Sequence, residues 1–165
     1  VIITGTAHKF GDDINTDYII SGRYKFKTLD MKELAQHIFE DIDADFSKKL
    51  QPGDFIVGGS NFGCGSSREQ AVLALKSADI GAIIAKSFAR IFFRNAINVG
   101  LILIEADTDG INEGDKLEMD AGKGIIRNLS SGIEISTRPL PDFILNIVSE
   151  GGVVNYLKKY GDFKI

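Results

Sequence analysis

The spacing of apolar residues changes character along the chain, and each change marks an element. Residues 1–10, VIITGTAHKF, read as a strand. Residues 11–28 are polar and turn-rich and hold no single period, which predicts a loop with a short ordered piece. Over 30–42, Leu34, His37, Ile38 and Ile42 fall near one face, the mark of a helix. Asp30 is placed to cap it, with Glu33 completing a capping box. Residues 53–60, GDFIVGGS, form a short apolar strand that runs into glycines. A helix over 67–78 follows, with Ala71, Leu73, Ala74 and Leu75 available for packing. Residues 79–107 then read strand, helix, strand. Ala82 to Ala85 are continuously apolar, as in a strand covered on both faces. Phe88, Ile91 and Phe92 repeat at helical spacing, Gly100 ends that helix, and Leu101 to Ile104 make another buried strand.

Strands alternating with helices in so short a span imply a parallel sheet with right-handed crossovers. After Asp107 the texture changes. Residues 115–120, 123–128 and 132–138 alternate in polarity and are separated by glycine-bearing turns, an antiparallel signature. Pro139 and Pro141 punctuate the chain, and 142–163 reads as two short helices broken at Gly151 and Gly152. The expected fold class is α/β: a parallel sheet core with a small antiparallel β unit, residues 1–165 forming one domain.

Composition narrows the function classes. Of 165 residues, 44% are apolar and 25% charged, the balance of a globular domain with a buried core. The net charge of -4, with no dense basic run, argues against nucleic acid as a partner. No apolar stretch is long enough for a membrane span, and the first ten residues lack the regions of a signal peptide, so the expected compartment is the cytoplasm. Cys64 is the single cysteine, which excludes an internal disulfide framework. With only His8 and His37 beside it, the chain alone does not supply a thiolate metal or iron–sulfur site. Both histidines read as ordinary surface or core residues.

The candidate chemistry lies in 58-GGSNFGCGSSREQA-71. Two readings share it. In one, Ser66 caps the following helix, Glu69 reaches back to it, and the glycines supply positive φ angles. In the other, the first-turn amides of that helix and the bare glycine backbone form an anion site. Arg68 adds a fork for a carboxylate, although a cation there opposes the helix dipole. Neither a G-x-x-x-x-G-K-[ST] phosphate loop nor a dinucleotide fingerprint is present, so a small carboxylic acid is the expected ligand.

These residues resemble the swivelling domain of the aconitase superfamily. G-C-G-S-S-R-E-Q-A carries the resemblance, and other segments agree in order. They are Asn15-Thr16-Asp17 followed by Ile19 and Ile20, then Lys86-Ser87-Phe88-Ala89-Arg90-Ile91, then Asn95 and Gly100-Leu101. The resemblance is good over residues 1–107 and loose beyond. It implies a swivelling β/β/α domain, serving as the small subunit of a two-subunit hydro-lyase that isomerises a substituted malate by removing and returning water. It also implies that a four-iron four-sulfur cluster is held by the large subunit and that this chain binds no cofactor of its own. Ser66 would then be the catalytic base, acting as an alkoxide, and Ser67 and Arg68 would hold a substrate carboxylate.

The segment after the Thr-Asp motif reads the substrate in this family, and here it is 24-YKFKT-28. Lys27 stands at about the position where tricarboxylate-acting members carry arginine, and a lysine gives a point charge in place of a planar fork. Lys25 and Lys27 are therefore substrate-binding candidates, with Phe26 available for an alkyl group; the alternative is that the lysines solvate a loop. Asp17, Gly65, Cys64 and Arg90 are supporting candidates. Asp17 would orient the serine loop or belong to an Asx turn at Asn15. Arg90 would meet a carboxylate or the partner subunit. Cys64 reads either as oxidation-sensitive or as a small packed residue, and Lys86 and Ser87 as scaffold. The functional alternatives are a homoaconitate-type or other malate-type hydro-lyase, and a non-catalytic module that binds small acids.

Overall fold

The computed structural model describes residues 2–24, 30–66 and 69–162. A single sheet runs through them in the order β4-β3-β2-β1-β5-β6-β7. Strands β1 (Ile2–Lys9), β2 (Phe55–Val57), β3 (Ala82–Ala85) and β4 (Leu103–Glu105) are mutually parallel. Strands β5 (Lys116–Asp120), β6 (Ile125–Asn128) and β7 (Glu134–Ser136) continue the sheet antiparallel. The joint is β1. Its last residues, Ala7 to Lys9, pair with β2, while Ile2 to Thr6 pair with β5.

Side-chain alternation splits the interior in two. Ile56, Ile83, Ala85 and Leu103 face one core, and Phe55, Val57, Ala82, Ile84 and Ile104 face the other. The first core is closed by α4 (Glu69–Ser77) and α5 (Arg90–Asn98), through Ala71, Val72, Ala74, Leu75, Phe92 and Ala96. The second is closed by the sheet itself, since Leu117, Met119 and Ile126 of β5 and β6 pack on β2 and β3. This is the expected β/β/α layering, with the antiparallel unit curled over the parallel one. Each isoleucine or leucine so buried contributes about 1.5–3 kcal/mol. Helices α6 (Asp142–Ser149) and α7 (Val153–Tyr160) bury Ile147 and Tyr156 against Ile97.

The helix predicted over 30–42 is shorter than its pattern. Helix α1 (Thr16–Ile19) and a 3-10 turn (Gly22–Tyr24) precede it, and α2 (Met31–Ala35) ends before Gln36. The chain then turns into α3 (Phe46–Lys49). Leu34 and Ile38 are buried as their spacing requires, but Ile42 is 47% exposed. Beyond the helix end, Phe39 takes a φ of 55°, which turns the chain so that Ile42 does not continue the buried face. The Phe39 amide donates to the Ile19 carbonyl at 2.9 Å, and its ring stacks on Phe10 with centroids 4.3 Å apart. Long-range packing outweighs helix propagation there. In α4, Val72 is buried and Leu73 only half-buried, a shift of one position from the expected packing face. Phe88 precedes α5, and Ile91 is 56% exposed.

Candidate active site

Parallel strands deliver their outgoing loops to one end of the sheet, and the site is built from such loops. The glycine segment leaves β2 and lies between residues 11–16, which follow β1, and residues 86–90, which follow β3. On one side Asp13 N donates to Ser60 O (2.9 Å), Gly63 N to Ile14 O (2.7 Å) and Thr16 N to Cys64 O (3.0 Å). On the other, Lys86 N donates to Gly59 O (3.0 Å), Phe62 N to Ser87 O (3.0 Å) and Ala89 N to Phe62 O (2.9 Å). Side chains finish the lashing. Asp12 Oδ1 accepts from Ser60 N at 2.7 Å, Ser87 Oγ accepts from Asn61 N at 2.8 Å, and the buried Thr108 hydroxyl donates to Gly58 O at 2.8 Å. A loop that looks flexible by composition is thus held along its length.

This loop ends at Ser66, which is exposed. Gly65 before it takes φ 93°, the left-handed region that favours glycine. Beside Gly65 opens a cleft of about 300 Å³, lined by Thr16, Gly63, Arg90, Ile91, Phe92 and Asn95 among others. Arg90 is exposed and opens α5, whose N-terminal residue Ala89 makes no side-chain cap. The unpaired amides of that first turn add positive potential to the guanidinium. The cleft suits an anion with an apolar part.

Of the residues singled out from sequence, Gly65, Arg90 and Asn95 line this cleft, while Cys64 and Ser66 flank Gly65 along the chain and Asp17 follows Thr16. Cys64 is half-buried and bridges Asn15 through its backbone. Asp17 is exposed in the first turn of α1, and Asn15 caps that turn by accepting from the Asp17 and Tyr18 amides at 2.8 and 3.2 Å. Ser67, Arg68, Lys25 and Lys27, with Phe26, lie outside the described residues. Ser87 does not cap α5 but holds Asn61, and Lys86 pairs with Asp109 at 2.7 Å, which raises the lysine above its ordinary pKa. Both serve the scaffold.

The histidines belong to other clusters. His8 is buried and contacts Asp54 at 2.8 Å, edge-on to Phe46. Burial pushes the Asp54 carboxyl up, but His8 and the amides of Gln51 and Thr6 outweigh it and hold the group below its usual value. His37 stacks on Tyr24, and both bond Glu40 together with Arg23. Burial works against the charge of Glu40, and these donors again lower its pKa.

Periodicity and composition did not find Asp12, Thr16 or Thr108 as braces of the loop. Thr16 stood inside a quoted motif, but its role comes from bonds to residues some fifty positions away. Cys64 is the single cysteine, and no group of three or more histidine, cysteine or acidic residues is placed to hold a metal among the described residues. Among those residues no helix is long and apolar enough to cross a membrane.

The layering, the braced serine loop and the cleft define a class, and comparison agrees. Residues 13–109 match the aconitase C-terminal domain, and the chain belongs to that family. Its relatives are more specific. The 3-isopropylmalate dehydratase small subunit 2 of Archaeoglobus fulgidus is 60% identical over 163 residues, 99% of each chain. The 3-isopropylmalate dehydratase small subunit 1 of Thermotoga maritima is 53% identical over 163 residues, 98% of each chain. The crystal structure of 3-isopropylmalate dehydratase from Methanocaldococcus jannaschii superposes with a TM-score of 0.92 at 54% identity, covering 98% of this chain and 96% of the other.

Proposed function

We propose that this chain is the small subunit of a 3-isopropylmalate dehydratase, a hydro-lyase of leucine biosynthesis. The enzyme interconverts 2-isopropylmalate and 3-isopropylmalate by removing water from one carbon and returning it to the next. The observation that carries the reading is Ser66. It stands exposed at the end of a fully braced glycine loop, beside a cleft with a cationic rim and apolar walls. The full-length similarity to named small subunits supports it.

In this reading Ser66 Oγ takes the proton from the carbon next to a carboxylate and holds it between the two half-reactions. A serine hydroxyl is far too weak an acid to ionise unaided at neutral pH. Stabilisation of the oxyanion by glycine-loop amides and by Arg68 is the kind of preorganised field the step requires. Ser67, Arg68 and Arg90 hold carboxylate, Lys25 and Lys27 contribute charge from the segment after the Thr-Asp motif, and Asp17 orients the serine loop. The four-iron four-sulfur cluster belongs to a large partner subunit, which we expect to complete the enzyme in the cytoplasm. The test is Ser66→Ala in the assembled two-chain enzyme. Loss of turnover by about a hundredfold or more is expected for removal of a positioned base. Full activity would return Ser66 to a structural role and leave the chain a binding module.

A further inference from the structure

We infer that Thr16 is a positioning residue for Ser66, acting through its hydroxyl. The inference rests on the reading of Ser66 as the base. Thr16 is 3% exposed, lines the cleft, and makes a pair of bonds to the serine loop. Its amide donates to Cys64 O at 3.0 Å and its hydroxyl donates to Ser66 O at 2.7 Å. The acceptors flank Gly65. That residue has φ 93° and no Cβ to restrict its backbone. With Cys64 O held on one side and Ser66 O on the other, rotation about Gly65 cannot move Ser66 without breaking a bond to Thr16. One residue thereby freezes the hinge immediately before the base.

Thr16 is itself held. Asn15 caps α1 by accepting from the Asp17 and Tyr18 amides, and the Ile20 amide closes the turn on Thr16 O at 3.0 Å. The brace therefore transmits the position of the β1–α1 connection to the catalytic serine. A packing role alone does not explain the hydroxyl, because valine fills the same volume.

The experiment compares Thr16→Val, which removes the hydroxyl at constant shape, with Thr16→Ser, which keeps it. Each is assayed in the enzyme assembled with its large subunit, together with Ser66→Ala and the double variant Thr16→Val/Ser66→Ala. Thr16→Val should lower kcat by about tenfold to a hundredfold, the loss expected for misplacing a reacting group by a fraction of an ångström to an ångström. Thr16→Ser should restore most of it. In the Ser66→Ala background Thr16→Val should cause no further loss of residual turnover, since a positioning residue has nothing left to position. The inference is overturned if Thr16→Val turns over like the wild type. It is equally overturned if Thr16→Ser is as impaired as Thr16→Val, or if the two losses multiply in the double variant. An active Ser66→Ala enzyme would instead sink the reading of Ser66 itself. Circular dichroism melting of each small subunit separates a folding defect: Thr16→Ser, with the smaller change, keeps the comparison decisive if Thr16→Val does not fold.

Discussion

Gly63 gives the sharpest test of how tightly the serine loop is held. Its φ is 83°, and a Cβ built there would stand 2.6 Å from Phe92 Cβ. Gly63→Ala therefore meets two penalties. Placing an L-residue in the left-handed region costs about 1–2 kcal/mol. Forcing a methyl group against a packed phenylalanine costs about 1–3 kcal/mol more, because Phe92 is 3% exposed and sits edge-on to Phe62 with centroids 5.6 Å apart. The sum is about 2–5 kcal/mol. For a chain of this length that corresponds to a Tm lower by roughly 5–15 °C. Gly114→Ala is the control. Its φ is 85°, but nothing lies within 4 Å of the added Cβ, so only the backbone penalty applies. Thermal unfolding of both variants, followed by circular dichroism, separates the terms. Equal losses in the two would refute the contact with Phe92, and an unchanged Gly63→Ala would refute both the strain and the packing.

Other perturbations probe the scaffold. Asp54→Asn should remove about 1–3 kcal/mol at neutral pH, since Asp54 accepts from His8, Thr6 and Gln51. Because the Asp54 carboxyl is held below its usual value in the folded state, its contribution is full above about pH 4 and is lost as pH falls through the depressed value. Urea unfolding across pH 2–7 should therefore show a flatter acid limb in Asp54→Asn than in the wild type, and parallel limbs would exclude Asp54 as a source of acid sensitivity. Phe39→Ala should lower stability by about 3–5 kcal/mol despite relieving nothing in a regular helix, because Phe39 is fully buried against Phe10 and Phe46. A loss below about 1 kcal/mol in equilibrium denaturation would mean that the break at residue 39 is not held by that cluster.

What could be read from the chain was what local pattern controls. The run from Ala82 to Ala85 reads as a strand covered on both faces because both cores need it apolar. The alternation after Asp107 reads as antiparallel because β5 and β6 show one face to a core and one to solvent. The serine loop was visible by its glycines, and its likeness to a family by the order of its motifs. What could not be read depends on partners distant in sequence. Ile42 carries a helical spacing that the left-handed turn at Phe39 overrides. Ile91 falls on a helical repeat yet faces the cleft mouth. Segment 11–16 has no period at all, because its order comes from backbone bonds to 59–64 rather than from a face of its own.

The same topology explains why these three segments meet. In an antiparallel sheet successive loops leave from alternate ends, so residues after β1, β2 and β3 would be split between opposite sides of the molecule. Here the three strands are parallel and neighbouring, and residues 11–16, 58–66 and 86–90 all leave from their carboxyl ends. Strand β1 is also where the sheet changes sense, with β5 antiparallel on its other side. The glycine loop occupies the middle strand of the three, so it can be bonded from both sides while leaving its last residue uncovered. In its proposed role as the base, Ser66 faces two demands that this placement reconciles. A base must be held closely in place; Asp12 and Ser87 brace the start of the loop at Ser60 and Asn61, and Thr16 bonds Ser66 itself. The base must also stay open to a substrate and to whatever surface completes the site, which its exposed position at the end of the loop allows.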